Sequence, residues 1–248
     1  MKQQNKLLLG ILVLALSTLA CSVTVNGGEV RRLEGSNVLV SEERQVSGFN
    51  RVDMAGIGFL VIEFGDSEAL TIEAEDNLID YIQTEVVGQE LVIKFEEGRN
   101  YQPTETIRFY LTVVELDELV VSGLSEVELP EIEVTDFTIE ISGGGEVDMD
   151  RLDAKLFEVN VKGLGSLTID SGTVVRQEIS ISGGGRYSAR RLESQDADVD
   201  ISGLGAATVR VSDTLTVNIS GGGNVEYYGD PTVDSNISGI GKVERIGN

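Results

Sequence analysis

The stretch ISISGGGRY at residues 179–187 decides the architecture of this chain, because its parts return along the sequence at nearly constant intervals. Before the glycines, Ile179 and Ile181 alternate with serines, and after them Tyr187 begins a second alternating run. A period of two is typical of a β-strand with one buried face, and glycine suits a sharp bend. The stretch therefore predicts a strand, a corner and a second strand.

The Ser-Gly corner recurs through the second half of the chain, at intervals of 20, 20, 20, 20, 18 and 18 residues. The corner glycines are Gly123, Gly143, Gly163, Gly183, Gly203, Gly221 and Gly239. Twenty residues at about 3.3 Å each trace about 66 Å, which suits one coil, or rung, of a three-sided solenoid. We therefore predict an all-β parallel β-helix with rungs of 18–20 residues over residues 46–248, irregular over 46–114 and regular over 115–248. Within the irregular part, residues 76–82 are expected to form one helical turn capped by Asp76 or Asn77.

The residue after each corner glycine alternates between a bulky side chain and glycine. These residues are Leu124, Gly144, Leu164, Gly184, Leu204, Gly222 and Ile240. We expect each bulky side chain to fill the space that its glycine neighbours leave. On this interpretation an aspartate at Leu164 or at Ile181 would unfold the stack, whereas Glu140→Gln would do little. The alternative, a phosphate-binding glycine loop, lacks the Gly-Lys-Ser/Thr motif that such loops require.

Residues 1–20 predict a lipoprotein-type signal peptide, with Lys2 and Lys6 before an apolar run too short to span a bilayer. Cys21, the single cysteine, stands where a lipoprotein signal peptidase would leave it for lipidation. Thr18 occupies the place where leucine is usual, so an ordinary signal peptide cut near Ala20 is the alternative. Residues 21–45 predict a flexible tether. The expected location is the cell envelope, with the exported domain lipid-anchored at the membrane surface.

Composition limits the possible functions. The net charge is −23, and it becomes −25 when residues 1–20, with two lysines and no acid, are removed. Such a surface repels nucleic acid. The chain has no histidine and no tryptophan, which excludes a Ser/His/Asp triad and imidazole-based metal sites. We predict no catalytic residues and no cofactor.

Several segments together resemble the head GIN domain family of auto-transporter adhesins. They are residues 49–52 (FNRV), 55–58 (AGIG), 74–82 (AEDNLIDYI) and 91–93 (LVI), followed by the Ser-Gly corners. The resemblance covers residues 46–247. It implies a right-handed β-helix, often found on secreted or lipid-anchored proteins, and it supplies no catalytic residues to carry over.

Two charged clusters are candidates for chemistry. The first consists of Glu126, Glu128, Glu146 and Asp148, which we expect on the outward side of adjacent rungs. Stacked carboxylates repel unless a cation bridges them, and oxygen ligands suit calcium. The set is therefore either a calcium-like metal site or a solvated acidic face.

The second cluster is basic and consists of Arg186, Arg190 and Arg191, with Lys162 on a neighbouring rung. Polysaccharide lyases with a β-helix fold use such cations beside bound calcium, so a lyase is one hypothesis. The basic and acidic clusters occupy no common rung, which disfavours it.

We therefore predict a non-enzymatic surface domain of the cell envelope, an adhesin or rigid spacer that contacts polysaccharide, protein or a second copy of itself. The alternative is an envelope sensing or maintenance module that binds an unknown ligand. A polysaccharide-active enzyme is the third hypothesis.

Overall fold

A computed structural model describes residues 31–248, which form an all-β solenoid of about six turns. The N-terminal strands are β1 (Arg31–Glu34), β2 (Leu39–Arg44), β3 (Arg51–Ala55), β4 (Ile57–Phe64), β5 (Ala69–Glu75), β6 (Ile82–Val87), β7 (Glu90–Phe95), β8 (Arg99–Gln102) and β9 (Arg108–Val113). The later strands are β10 (Glu118–Glu133), β11 (Asp136–Gly143), β12 (Glu146–Gly163), β13 (Ser166–Gly183), β14 (Arg186–Gly203), β15 (Ala206–Gly221), β16 (Asn224–Tyr228), β17 (Thr232–Gly239) and β18 (Lys242–Gly247).

Strands β10 to β18, the repeat region, stack in parallel, and most residues lie beside their counterparts one rung away. Val161 pairs with Ile181 and Gly163 with Gly183 across β12 and β13. The ladder between these strands skips Asp150, Lys155 and the corner, so each coil has three straight segments. We name them the pre-corner face (residues 156–163 and their partners), the post-corner face (146–149 and partners) and the third face (151–154 and partners). The predicted parallel β-helix with rungs of 18–20 residues is confirmed.

The core of the repeat region consists of the inward columns. On the pre-corner face Val121, Ile141, Val161, Ile181, Ile201 and Ile219 are all at most 2% exposed. Burial of such β-branched side chains is favourable by about 1.5–3 kcal/mol each, and their shape suits a pleated surface. Phe137 and Phe157 stack in a neighbouring column with ring centroids 6.0 Å apart. The last rung is less covered, and its Ile237 is 40% exposed.

One chain of polar groups crosses the apolar core. Gln177 takes the place in the column that Phe157 occupies one rung earlier. Tyr187 donates its hydroxyl hydrogen to Gln177 Oε1 at 2.8 Å, and Gln177 Nε2 donates to Ser194 Oγ at 2.8 Å. Ser194 in turn donates to the carbonyl oxygen of Arg210 at 2.9 Å. Burial raises the pKa of Tyr187 far above its ordinary value, so this hydroxyl remains a donor.

The corner glycines have a backbone conformation that other residues rarely adopt. Their φ angles are positive, and that of Gly183 is +124°. A Cβ on Gly183 would lie 2.5 Å from the carbonyl oxygen of Gly163 one rung away. Strain and steric overlap therefore both require glycine at this position.

The bulky residues that follow the corner glycines lie outside the core. Leu124, Leu164, Leu204 and Ile240 are 71%, 77%, 76% and 91% exposed. The expectation that these side chains are buried is wrong, and the reason for expecting Leu164→Asp to unfold the stack is lost with it. Each leucine does lean over the next rung, since a Cβ on Gly184 would lie 3.1 Å from Leu164 Cδ2. One side of the leucine is covered while the rest projects into solvent.

The N-terminal section, residues 31–113, closes one end of the solenoid. Strands β3 and β4 form the first rung of the solenoid and pair in parallel with β10. Strand β7 pairs in parallel with β3, and β9 pairs in parallel with β4. Antiparallel pairings follow, of β6 with β7, of β5 with β9 and of β2 with β5. The N-terminal end of the stack is thereby covered, which protects an otherwise open sheet edge.

The predicted flexible tether over residues 21–45 is wrong for residues 31–44. Strand β1 pairs with β8, and β2 pairs antiparallel with β5. Both strands are polar and mostly exposed, so they lack the alternation that identifies a strand in sequence. Residues 21–30, Cys21 among them, and the predicted signal peptide lie outside the described residues.

Buried Glu75 fixes this N-terminal segment to the domain. Its carboxylate accepts hydrogen bonds from the backbone N–H of Asn37 at 2.8 Å and of Thr104 at 3.0 Å, and from the Thr104 hydroxyl. Burial alone would raise the pKa of Glu75, but these hydrogen bonds outweigh it and hold the pKa below its ordinary range. Glu75 is therefore an ionised latch between two distant segments.

A short 3-10 turn, Ile79–Tyr81, takes the place of the predicted helical turn. Its N-cap is Leu78, with no side-chain cap, so the prediction of an Asp76 or Asn77 cap is wrong. Asn77 instead donates to the Glu34 carbonyl at 2.8 Å, and its side-chain oxygen accepts from the Ser36 N–H at 3.1 Å. No helix within residues 31–248 is long and apolar enough to cross a membrane.

Candidate functional surface

The outward side of the pre-corner face carries acids, amides and hydroxyls in continuous columns. The column beside the corner, which we name the serine column, is Ser122, Ser142, Lys162, Ser182, Ser202, Ser220 and Ser238. The column next to it is Glu140, Asn160, Ser180, Asp200, Asn218 and Asn236. Parallel stacking in register places like side chains beside one another at intervals of about 4.8 Å. The face is therefore a regular array of hydrogen-bonding groups.

A shallow trough runs along this face. One cavity of about 450 Å³ and a second of about 260 Å³ share Ser180, Asp200 and Asn218 in their linings. The inner strand residues Ile179 and Ile181 contribute to the floor. The trough thus follows the solenoid axis over several rungs and is open to solvent along its length.

Hydrogen bonds hold the polar groups of the trough in place. Arg176 Nε donates to Glu178 Oε1 at 2.8 Å, and the Arg176 guanidinium also pairs with Asp198. Asn218 Nδ2 donates to Asp200 Oδ1 at 2.8 Å. These side chains retain free lone pairs or N–H groups toward solvent, so the trough offers prearranged donors and acceptors for hydroxyl groups.

The charged side chains that line the trough are mostly acidic: Glu158, Glu178, Asp198 and Asp200 face the single cation Arg176. Lys162 Nζ donates to Glu140 Oε1 at 2.6 Å, which neutralises one acid of the column next to the serine column. Further toward the N-terminal section, burial raises the pKa of Asp53 above its ordinary value, and a 3.0 Å hydrogen bond from Ser122 offsets part of this effect. The acidic surroundings make an anionic ligand unfavourable here.

The predicted acidic set lies on the post-corner face. Glu126 pairs in register with Glu146, and Glu128 with Asp148. Within residues 31–248, no group of three or more Asp, Glu, His or Cys side chains is arranged to hold a metal ion. The calcium-like site stays a prediction, with the solvated acidic face as its alternative.

The predicted basic cluster is divided among different parts of the rung. Arg186 lies on the post-corner face and Lys162 on the pre-corner face beside Glu140. Arg191 lies near Asp170 at 3.4 Å, and the Arg190 carbonyl accepts from Arg210 Nε at 2.8 Å. The structure therefore does not bring these cations into one groove.

Sequence reasoning missed a cavity of about 510 Å³ on the third face. Its floor is formed by Ala154, Val174 and Val211, and its rim carries Glu193 and Arg210. The register between β14 and β15 shifts between Ser188 and Asp196, where the rung loses two of its residues. The fall in corner interval from 20 to 18 residues was the available signal for this step.

A family model described as "Putative auto-transporter adhesin, head GIN domain" matches residues 48–231, more than half of the chain. The chain belongs to the head GIN domain family. The resemblance stated from the sequence is confirmed. The family is described as one of adhesins, a description that associates it with the cell surface.

Solved structures share the fold of this head GIN domain protein. A "putative adhesin" from Bacteroides fragilis is 21% identical with a TM-score of 0.81, and the match covers 86% of this chain and 100% of that one. A "putative adhesin" from Parabacteroides distasonis is 24% identical with a TM-score of 0.68, covering 87% and 100%. A "putative lipid binding protein" from the same species is 23% identical with a TM-score of 0.72, also covering 87% and 100%. No curated protein matches the chain.

Proposed function

We propose that this head GIN domain protein is a non-enzymatic adhesive module of the cell envelope that binds uncharged polysaccharide along the trough of its pre-corner face. The observation that carries the proposal is the trough itself, in which Asp200, Asn218 and Ser180 repeat donors and acceptors along the solenoid axis. A polymer with regularly spaced hydroxyl groups matches such an array. The net charge of −23 disfavours acidic polysaccharides.

A rigid scaffold supports this role. The stacked strands keep the trough residues in fixed positions, so little conformational entropy is lost when a ligand binds. Individual hydrogen bonds to sugar hydroxyls contribute little net free energy in water, and repetition along a polymer compensates by adding contacts. Weak binding to single sugars and stronger binding to long chains is therefore expected.

The experiment is a glycan array with the full chain, compared with two double variants. Asp200→Ala with Asn218→Ala removes polar groups from the trough, and Ser166→Ala with Thr168→Ala removes polar groups from the post-corner face. We expect binding to neutral glycans that only the trough variant loses, with unchanged melting temperatures for both. Absence of binding to every neutral polysaccharide, or equal loss in both variants, would overturn the proposal.

We also propose that a lipid on Cys21 holds the domain at the membrane surface. The short apolar run and the single cysteine after Ala20 support it. Replacing Cys21 with Ser should release the protein from the membrane fraction of expressing cells. Unchanged membrane association of Cys21→Ser would contradict the anchor.

The cavity of the third face favours the second candidate, a sensing or maintenance module for a small ligand. Its volume of about 510 Å³ and its apolar floor of Ala154, Val174 and Val211 are typical of small-molecule sites. Val174→Gln would place a polar side chain in this floor. A small-molecule library should then contain ligands that stabilise the natural chain but not this variant, and failure to find any would leave adhesion as the single candidate.

A further inference from the structure

A ridge of exposed apolar side chains runs along the corner of the solenoid. It consists of Leu124, Leu164, Leu204 and Ile240, which are between 71% and 91% exposed. They occupy every second rung, and the rungs between them carry Gly144, Gly184 and Gly222. With rungs about 4.8 Å apart, the bulky side chains repeat about every 9.6 Å over about 29 Å. Apolar groups in one exposed line on a soluble protein indicate a contact surface.

The strip beside this corner ridge is poor in acids. On one side lies the serine column, in which Lys162 is the one charged residue among those of residues 122–238. On the other side, the outward column of the post-corner face begins with Glu126 and Glu146 and then continues as Ser166, Arg186, Ala206, Asn224 and Lys242. This column changes from acidic to basic along the axis. In a chain of charge −23, two copies repel each other only weakly along such a strip.

We propose that two copies of this chain associate side by side, antiparallel, with their corner ridges interdigitated. We choose a second copy as the partner because it presents an identical ridge, with apolar groups at the same interval. In the antiparallel arrangement Leu164 of each copy lies opposite Gly222 of the other, Leu204 opposite Gly184, and Ile240 opposite Gly144. A two-fold axis makes this contact closed and self-complementary.

The same register brings the charges of the bordering column together. Glu146 of one copy lies opposite Lys242 of the other, once at each end of the contact. Lys242 already contacts Glu244 of its own strand, but its side chain is 65% exposed and accessible to a second carboxylate. The near-central Arg186 lies opposite Ala206, so no acid of this column faces another acid. The charge pattern is therefore complementary in the antiparallel pairing.

The contact is small. A ridge of about 29 Å buries less than the roughly 800 Å² per partner of a standard stable interface. Association of freely diffusing copies is therefore expected to be weak, and it should strengthen when copies share one membrane and their effective concentration rises. This last step depends on the proposed anchor, whereas the geometry of the ridge is independent of glycan binding.

Cysteine cross-linking tests the register. In the full chain carrying Cys21→Ser, the pair Leu164→Cys with Gly222→Cys should form a disulfide-linked dimer under mild oxidation. The pair Leu124→Cys with Gly222→Cys is the control, because it lies two rungs out of register. A disulfide requires Cα atoms within about 7 Å, so we expect about tenfold less dimer from the control. Equal yields, or no dimer from either pair, would overturn the proposal.

A charge exchange separates self-association from other contacts of the ridge. Glu146→Lys and Lys242→Glu should each lower the cross-linked fraction of the matched cysteine pair, and the two together should restore it. Binding to vesicles of phosphatidylethanolamine and phosphatidylglycerol is measured in parallel for Leu164→Ser with Leu204→Ser. If this variant loses vesicle binding while the charge exchange leaves cross-linking unchanged, the ridge contacts lipid and the dimer proposal is wrong. Melting temperatures establish that every variant is folded.

Discussion

The N-terminal section and the repeat region both enclose apolar columns, but different interactions determine their structures. In the repeat region, each residue stacks on its counterpart one rung away, as Val161 does on Ile181. In the N-terminal section, parallel and antiparallel pairings alternate, and a side chain, Glu75, connects segments that are far apart in sequence. A repeated local rule thus builds the stack, whereas single long-range contacts close its end. The two regions should therefore respond differently to substitution.

The largest effect is expected in the core of the repeat region. Ile181→Asp places a charge in a column that is about 1% exposed and offers it no partner. We expect a loss of about 4 kcal/mol in the free energy of unfolding, enough to unfold much of the stack. Leu164→Asp is the matched control, because this leucine is 77% exposed. Urea denaturation followed by circular dichroism gives both values, and similar losses would contradict the inward and outward assignment.

The corner is expected to be nearly as sensitive. Gly183→Ala forces alanine into φ +124° with its Cβ 2.5 Å from a backbone oxygen. We expect a loss of about 3 kcal/mol. The neighbouring Gly184→Ala has no positive φ, and its Cβ would meet a flexible leucine methyl group at 3.1 Å. It should cost less than about 1 kcal/mol. A tolerated Gly183→Ala would show that the coil can relax around its corner.

The repeat region could be predicted from the sequence because its determinants are local and periodic. The spacing of Gly163 and Gly183 specified the register, and the alternation around Ile181 specified the buried face. The alternation of bulky residues and glycine after the corner shows that Leu164 and Gly184 occupy equivalent positions. It does not show whether this position points inward, because it lies in the bend between two faces. For this reason the corner ridge emerged only from the structure.

The N-terminal section could be predicted less well because its signals are not periodic. Strand β2 is exposed on most of its length, so no buried face marks it. The contact between Asn37 and Glu75 joins residues 38 apart, and a carboxylate in sequence does not reveal its partners. The third-face cavity likewise results from the loss of two residues in one rung, whose three-dimensional effect depends on the neighbouring rungs.

An intermediate effect is expected for the Glu75 latch. Glu75→Gln replaces an acceptor by an amide whose N–H₂ would face the N–H of Asn37 or Thr104. We expect residues 31–37 to exchange amide hydrogens faster, with a local loss of about 2 kcal/mol. Because the folded pKa of Glu75 is lowered, the latch stabilises above about pH 4.5, the ordinary value of the side chain, and is lost as the pH falls through the folded pKa. Hydrogen exchange at two pH values measures this, and equal acid sensitivity in Glu75→Gln would contradict the assignment.

The polar chain in the core should produce a smaller effect. Tyr187→Phe leaves Gln177 Oε1 buried without its donor, and we expect a loss of about 1–2 kcal/mol. Combining it with Gln177→Leu removes the unsatisfied oxygen and restores the apolar column that Phe157 occupies one rung earlier. The double variant should therefore be more stable than Tyr187→Phe alone. If the losses of melting temperature caused by the two single substitutions simply add in the double variant, the hydrogen bond does not explain why the core contains these two residues.

The smallest effect is expected at the acidic pairs of the first rungs, where the two regions meet. Glu126 and Glu146 are adjacent on the post-corner face, and residues 31–248 hold no group of three acids arranged around a metal. Like charges in adjacent positions destabilise by a few tenths of a kcal/mol to about 1 kcal/mol. Glu146→Gln should therefore raise the melting temperature slightly, and calcium should stabilise the natural chain no more than magnesium does at equal ionic strength. A rise in melting temperature that is specific to calcium and that Glu146→Gln abolishes would instead establish the predicted cation site, because both ions screen a solvated acidic face alike.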